Sequence, residues 1–153
     1  MLAVAPDYSY YIIEDLGDTS LFGHIGTLRK QDAEFPPHLV QLYKKILDYL
    51  LRFQFDGNQG LDYSLCYQGS VFDVAAMRRD LNYFKYYFLK LAEIPFDEEK
   101  LDESFICLTE FLSGSAPDYF MYRDFQSRNI MLIDGEPYFI DYQSGRKGPL
   151  QYD

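Results

Sequence analysis

Apolar residues recur along this chain in two rhythms. From Pro36 onward Leu39, Leu42, Tyr43, Ile46, Leu47, Leu50 and Leu51 follow at alternating short spacings. That spacing keeps them on one stripe of a 3.6-residue helix, with proline tolerated near its start and Lys44, Lys45 and Asp48 facing outward. The same period runs through Val71–Ala92 on Val74, Met77, Leu81, Phe84, Phe88 and Leu91, with Arg78, Arg79 and Asp80 around the polar side. A third helix begins after Asp97, its expected N-cap. Glu98 and Glu99 occupy the first turn, where carboxylates favour the helix dipole. Leu101, Phe105, Leu108, Phe111 and Leu112 give its apolar face, and Ser113–Asp118, rich in small residues and proline, ends it.

The second rhythm is that of strands. Tyr8–Glu14 is dense in aromatic and β-branched residues and predicts a strand that stops at Asp15-Leu16-Gly17-Asp18. Leu21–Glu34, with Gly23 and Gly26, has no steady period and is expected to be loop; Phe55–Gly69 is a further break. After Tyr119-Phe120-Met121, the apolar run Ile130–Ile133 is joined by Asp134-Gly135 to a second run that ends in Asp141. Asp-Gly between apolar runs predicts a two-residue hairpin turn, because both residues tolerate positive φ.

The hairpin gives the polar residues around it a chemistry. Asn129 stands just before its first strand and Asp141 at the end of its second, so the two are expected side by side, with Asp124 on the loop next to them. Two carboxylates and a carboxamide oxygen form a hard-oxygen set suited to Mg²⁺.

Composition narrows the partners. The 153 residues suit one domain with a sizeable core, 48% hydrophobic and 25% charged. There are 15 Tyr and 13 Phe and no Trp, rings expected to fill core and line a cleft. A net charge of −10 argues against a nucleic-acid backbone or an anionic membrane surface as partner, though not against a Mg²⁺-neutralised nucleotide. Cys66 and Cys107 form no CxxC pair and are expected to be buried free thiols in a reducing compartment. His24 and His38 are isolated from any acid or cysteine cluster and are expected to be satisfied or solvent-exposed. No signal peptide or membrane-spanning run is evident, which predicts a cytoplasmic location.

The stretch YRDFQSRNIMLIDGEPYFID, Tyr122–Asp141, resembles the catalytic loop and metal-binding hairpin of the aminoglycoside phosphotransferase and choline-kinase-like family, which shares the protein-kinase fold. "YYIIEDLGD" resembles its hinge, and "IDYQ" with "GPLQYD" looks closest to bacterial amino-sugar anomeric kinases. The resemblance implies an α+β fold, the mostly helical large lobe of a kinase. Residues 1–18 would be the last small-lobe strand and hinge, and residues 19–153 a partial large lobe, with catalytic loop 119–133 and metal-binding strand 137–143. It implies Asp124 as catalytic base, Asn129 and Asp141 as metal ligands, and the backbone around Glu14, Asp15 and Leu16 as the adenine edge. Asp153 would brace the catalytic loop through its backbone. ATP and Mg²⁺ would be the cofactors and a small-molecule hydroxyl, that of a sugar or amino sugar, the acceptor.

The sequence also departs from that pattern. Tyr122 stands where the family has His, Gln126 where protein kinases carry a Lys near the transferred phosphate, and Tyr142-Gln143 follows Asp141 in place of Phe-Gly. No Gly-rich phosphate loop or strand lysine precedes the hinge, so the chain reads as a fragment lacking its small lobe. A catalytically inactive kinase-like binding domain and an α+β interaction module with a chance motif remain the competing readings.

Overall fold

The computed structural model describes residues 1–29, 36–115 and 118–153. Part of the stretch expected to be loop before Pro36, and Ala116-Pro117 in the linker after the third helix, lie outside the described residues. The described chain mixes helices with small antiparallel sheets, as an α+β fold requires. It divides into two compact units, Met1–Asp48 with Phe125–Asp141 and Tyr49–Asp124 with Tyr142–Asp153.

In the first unit, β1 (Ala3–Val4) pairs with β2 (Tyr11–Ile12) in a short antiparallel ladder, Ala3 opposite Ile12. The predicted strand Tyr8–Glu14 shrinks to these two residues. Its side chains explain this, since Tyr10, Tyr11, Ile12 and Ile13 are all exposed and a two-stranded ribbon without a packed face is marginal. The stretch from Leu21, expected to be loop, instead forms α1 (Leu21–Arg29). Ser20 Oγ accepts from Gly23 N–H at 3.2 Å at its start, and Leu21 and Ile25, one turn apart, are buried. Packing against Leu39, Ile46 and Ile130 outweighs the cost of two glycines in so short a helix. Helix α2 (Pro37–Phe55) follows the predicted period at Leu39 and Ile46, which are buried, whereas Leu47 and Leu51 face outward.

The predicted hairpin is present as β4 (Ile130–Ile133) and β5 (Glu136–Phe139), with Ile130 opposite Phe139 and Ile133 opposite Glu136. Asp134 and Gly135 have φ of 51° and 82°, the left-handed values the turn demands. Lys45 on α2 forms an ion pair with Glu136. The strand reaches only Phe139, two residues short of Asp141, so the expected metal-binding strand 137–143 ends early and Asp141 lies in irregular backbone beyond it.

In the second unit, α3 (Val74–Phe84) is capped by Asp73, which accepts from Ala76 N–H at 2.8 Å. It then passes into a π-helical turn, Lys85–Leu89. This extra residue per turn shifts the inward face, burying Lys85 and Leu89 while Phe84, Phe88 and Leu91 turn outward, contrary to the 3.6-residue reading. Helix α4 (Glu98–Ser113) is capped by Asp97 as expected, through Glu99 and Lys100 N–H. Phe111 is exposed and Thr109 buried, its Oγ1 turned back onto the Phe105 and Ile106 carbonyls. Strand β3 (Tyr119–Met121) pairs with β6 (Arg146–Gly148), and Phe72, Ala76, Met77 and Met121 form the core. Both cysteines are free thiols, but neither is buried, and Cys107 is exposed on the outer face of α4.

Candidate active site

The residues expected to carry the chemistry fall in both units, Asn129 and Asp141 in the first and Asp124 in the second. In the first unit the hairpin aligns Asn129 and Asp141. Ile140 N–H donates to the Asn129 carbonyl at 3.0 Å, continuing the ladder one step past the strands. The Asn129 carboxamide then lies 3.5 Å from Asp141 Oδ2. The loop before Asn129 is held in four ways. Asn129 N–H closes a turn onto the Gln126 carbonyl at 2.8 Å, and Phe22 N–H at the start of α1 donates to Ser127 C=O at 2.9 Å. The Arg128 guanidinium lies over the Phe22 ring, 4.4 Å from its centre, and Phe125 stacks on Phe139 at 5.5 Å.

Asp141 itself has a φ of 66°. A non-glycine residue held there costs of order 1–3 kcal/mol and persists where surrounding structure over-determines it, commonly at functional sites. The pair fits a hard divalent cation. A half-turn of the Asn129 amide presents its oxygen beside Asp141 Oδ2, and neighbouring oxygens of an octahedral Mg²⁺ shell stand about 3 Å apart, close to the separation seen. Among the described residues no group of three or more His, Cys, Asp or Glu is arranged to hold a metal.

In the second unit, Asp124 follows a backbone that is tightly anchored. Asp153 accepts from Tyr122 N–H at 2.7 Å and from Arg123 N–H at 2.6 Å. Burial pushes the Asp153 carboxyl above its ordinary range, while those two hydrogen bonds pull it down. Tyr122 is buried with its ring against Phe53 at 5.5 Å, Phe120 at 6.5 Å and Tyr142 at 6.3 Å. It braces the loop by ring packing.

Arg123 has a φ of 77°, and its guanidinium is held by Asp80 Oδ1 at 2.7 Å and Gln68 Oε1 at 2.5 Å. Asp80 Oδ2 in turn accepts from Tyr152 O–H at 2.7 Å. Burial, with that bond, raises the Tyr152 pKa and keeps the phenol a donor. Gln68, Asp80, Arg146 and Tyr152 were not legible as site residues. Gln68 sits in a stretch without period, and the polar side of α3 reads from sequence as a solvated face.

At the expected adenine edge, Asp15 Oδ1 accepts from Gly17 N–H at 2.9 Å, which closes a turn just after β2. Glu14 and Asp15 are exposed and Leu16 is half-buried. The backbone groups of these three enter none of the backbone–backbone hydrogen bonds among the described residues.

Two curated proteins resemble the chain, both named N-acetylmuramate/N-acetylglucosamine kinase. The one from Pseudomonas aeruginosa is 29% identical over 138 residues, 87% of this chain and 38% of that protein. The one from Neisseria meningitidis serogroup B is 26% identical over 150 residues, 96% of this chain and 41% of that protein. The chain is related to sugar kinases. It spans about two fifths of the length of these relatives. No protein-family model matches it, and no solved structure does. No helix among the described residues is long and apolar enough to cross a membrane.

Proposed function

We propose that this chain carries the catalytic loop and metal-binding hairpin of an ATP- and Mg²⁺-dependent phosphotransferase that moves the γ-phosphate to a hydroxyl of an amino sugar. The observation that carries this reading is the juxtaposition of Asn129 and Asp141 at the end of the β4–β5 hairpin, with Asp141 held at positive φ. The names of the two relatives support the sugar as acceptor. N-acetylglucosamine and N-acetylmuramate are the acceptors to try first.

Under this reading Asp124 accepts the proton of the attacking hydroxyl, and Asn129 and Asp141 hold Mg²⁺. When bound, the metal neutralises charge on the transferring phosphoryl group. Asp153, Tyr122 and Arg123 keep the loop that presents Asp124 from moving, so the acceptor oxygen meets a base already in place. The unpaired backbone edge at Glu14–Leu16 suits the flat, polar rim of adenine. The protein is expected to be cytoplasmic, where its nucleotide is available.

The experiment is turnover of the full-length protein with ATP, Mg²⁺ and each amino sugar, read as ADP and sugar phosphate. Asp124→Asn is expected to lower kcat by about 10²–10⁴-fold and to leave nucleotide affinity nearly intact. Turnover that survives this substitution removes Asp124 from the role. Nucleotide and sugar binding without turnover in the wild type favours a kinase-like binding domain that does no chemistry.

A further inference from the structure

Arg146 is 1% exposed, and among the described residues no carboxylate lies within ion-pair distance of it. A buried cation without a counter-charge is costly unless oxygens surround it. Three hydrogen bonds do so. Nε donates to the Ser144 carbonyl at 3.1 Å, Nη1 to the Gln68 carbonyl at 2.9 Å, and Nη2 to Gln68 Oε1 at 2.6 Å. Two of the three acceptors belong to one residue.

The same Gln68 Oε1 accepts from Arg123 Nη1 at 2.5 Å. One neutral oxygen therefore sits between two guanidiniums, with both of its lone pairs taken by charged donors. Hydrogen bonds to charged groups are the stronger kind. Arg123 is the residue whose backbone is forced to positive φ directly before Asp124. Strain of that kind is held by surrounding contacts, and here they are Asp153 on the main chain with Asp80 and Gln68 on the side chain. Asp80 fastens Arg123 to α3, and Gln68 fastens it through Arg146 to the start of β6.

We propose that Gln68 is a positioning residue for the loop ending at Asp124. Its carboxamide oxygen ties Arg123 to buried Arg146 and so keeps the loop in the conformation that presents the Asp124 carboxylate. The inference rests on the phosphotransfer reading of Asp124 and extends it to a residue on a separate loop. Gln68 is exposed, so it can be replaced without opening the core.

The test compares Gln68→Met, which keeps the length and removes the acceptor, with Gln68→Glu, which keeps it. In the full-length protein, amide hydrogen exchange over residues 121–125 is expected to quicken in Gln68→Met by at least about tenfold, with α4 unaffected, and to stay slow in Gln68→Glu. Kinetically, Gln68→Met is expected to lose roughly 10–100-fold in kcat with KM for ATP and sugar little changed, and Gln68→Glu to recover most of it. Unchanged exchange over the loop overturns the clamp. Quickened exchange with unchanged kcat, or a loss shared by all peptides together with a lower melting temperature, overturns the positioning role and leaves ordinary structural support. A wild type that turns over no amino sugar overturns the phosphotransfer reading instead, and the exchange result then judges the clamp separately.

Discussion

Arg123 donates its backbone N–H to Asp153 Oδ1 at 2.6 Å, thirty positions along the chain, and Tyr122 N–H donates to the other oxygen of the same carboxylate at 2.7 Å. One side chain thereby satisfies two consecutive amides of a strained loop. Asp153→Ala leaves both without that acceptor, and Asp153→Asn replaces one acceptor oxygen with a donor. Each is expected to lose about 1.5–3 kcal/mol, measured as a lower urea midpoint at unchanged m-value.

The same carboxylate sets a pH dependence. Burial raises the Asp153 pKa above its ordinary 3.8, so the folded state holds the proton more tightly than the unfolded one. Stability from this group is therefore greatest below the unfolded value and declines as pH rises through the folded value. The Asp153→Asn variant, which does not titrate, is expected to show a flatter stability profile across that window than the wild type. A profile of equal slope in both proteins removes Asp153 as its source.

Lys85 shares that sign, and its partner Glu98 has the opposite one. Its ammonium, buried by the π-helical turn, meets Asp102 Oδ1 at 2.8 Å and Glu98, which also pairs with Lys90 at 2.8 Å. The bonds to Asp102, then to Glu98, raise the Lys85 pKa, and the bonds from Lys85, then Lys90, lower that of Glu98. The lysine's contribution is present below its unfolded pKa and lost as pH rises through the folded one. That of Glu98 is present above its unfolded value and lost as pH falls through the folded one. Lys85→Met is expected to lower the melting temperature across the neutral range and to narrow its difference from wild type at both extremes.

Metal binding tests the hairpin end. Mg²⁺ keeps several waters and takes only one or two carboxylates together with phosphate oxygens, so Asn129 and Asp141 alone are expected to bind it weakly, and more tightly with nucleotide. Millimolar Mg²⁺ is expected to raise the melting temperature of the wild type and to raise that of Asp141→Asn much less. An equal response in both assigns the effect to general screening of a chain of net charge −10.

Close packing between β3 and β6 makes a further prediction. A Cβ added at Gly148 would stand 2.7 Å from Met121 Sδ and 2.9 Å from Met121 Cβ, and Met121 is 1% exposed. Gly148→Ala is expected to destabilise by about 1–3 kcal/mol, read by chemical denaturation.

What the sequence determined by itself was whatever rests on neighbours along the chain. The caps at Asp73 and Asp97, the period of α2, the Asp134-Gly135 turn and the meeting of Asn129 with Asp141 all follow from local geometry, and all but the cap at Asp73 were read directly. The turn type sets the hairpin register, and the register brings the two strand ends together. Tertiary structure decided the rest. Helix α1 exists because Leu21 and Ile25 find Leu39 and Ile130, a gain that no propensity scale over two glycines contains. The π-helical turn rotates Lys85 inward because two carboxylates on α4 await it, and a one-residue shift of face is invisible to a 3.6-residue period. Gln68, Asp80, Arg123, Arg146 and Tyr152 are scattered over some eighty positions and carry no common spacing. They become one hydrogen-bonded network only because a buried guanidinium must be met by oxygens from wherever the fold can supply them.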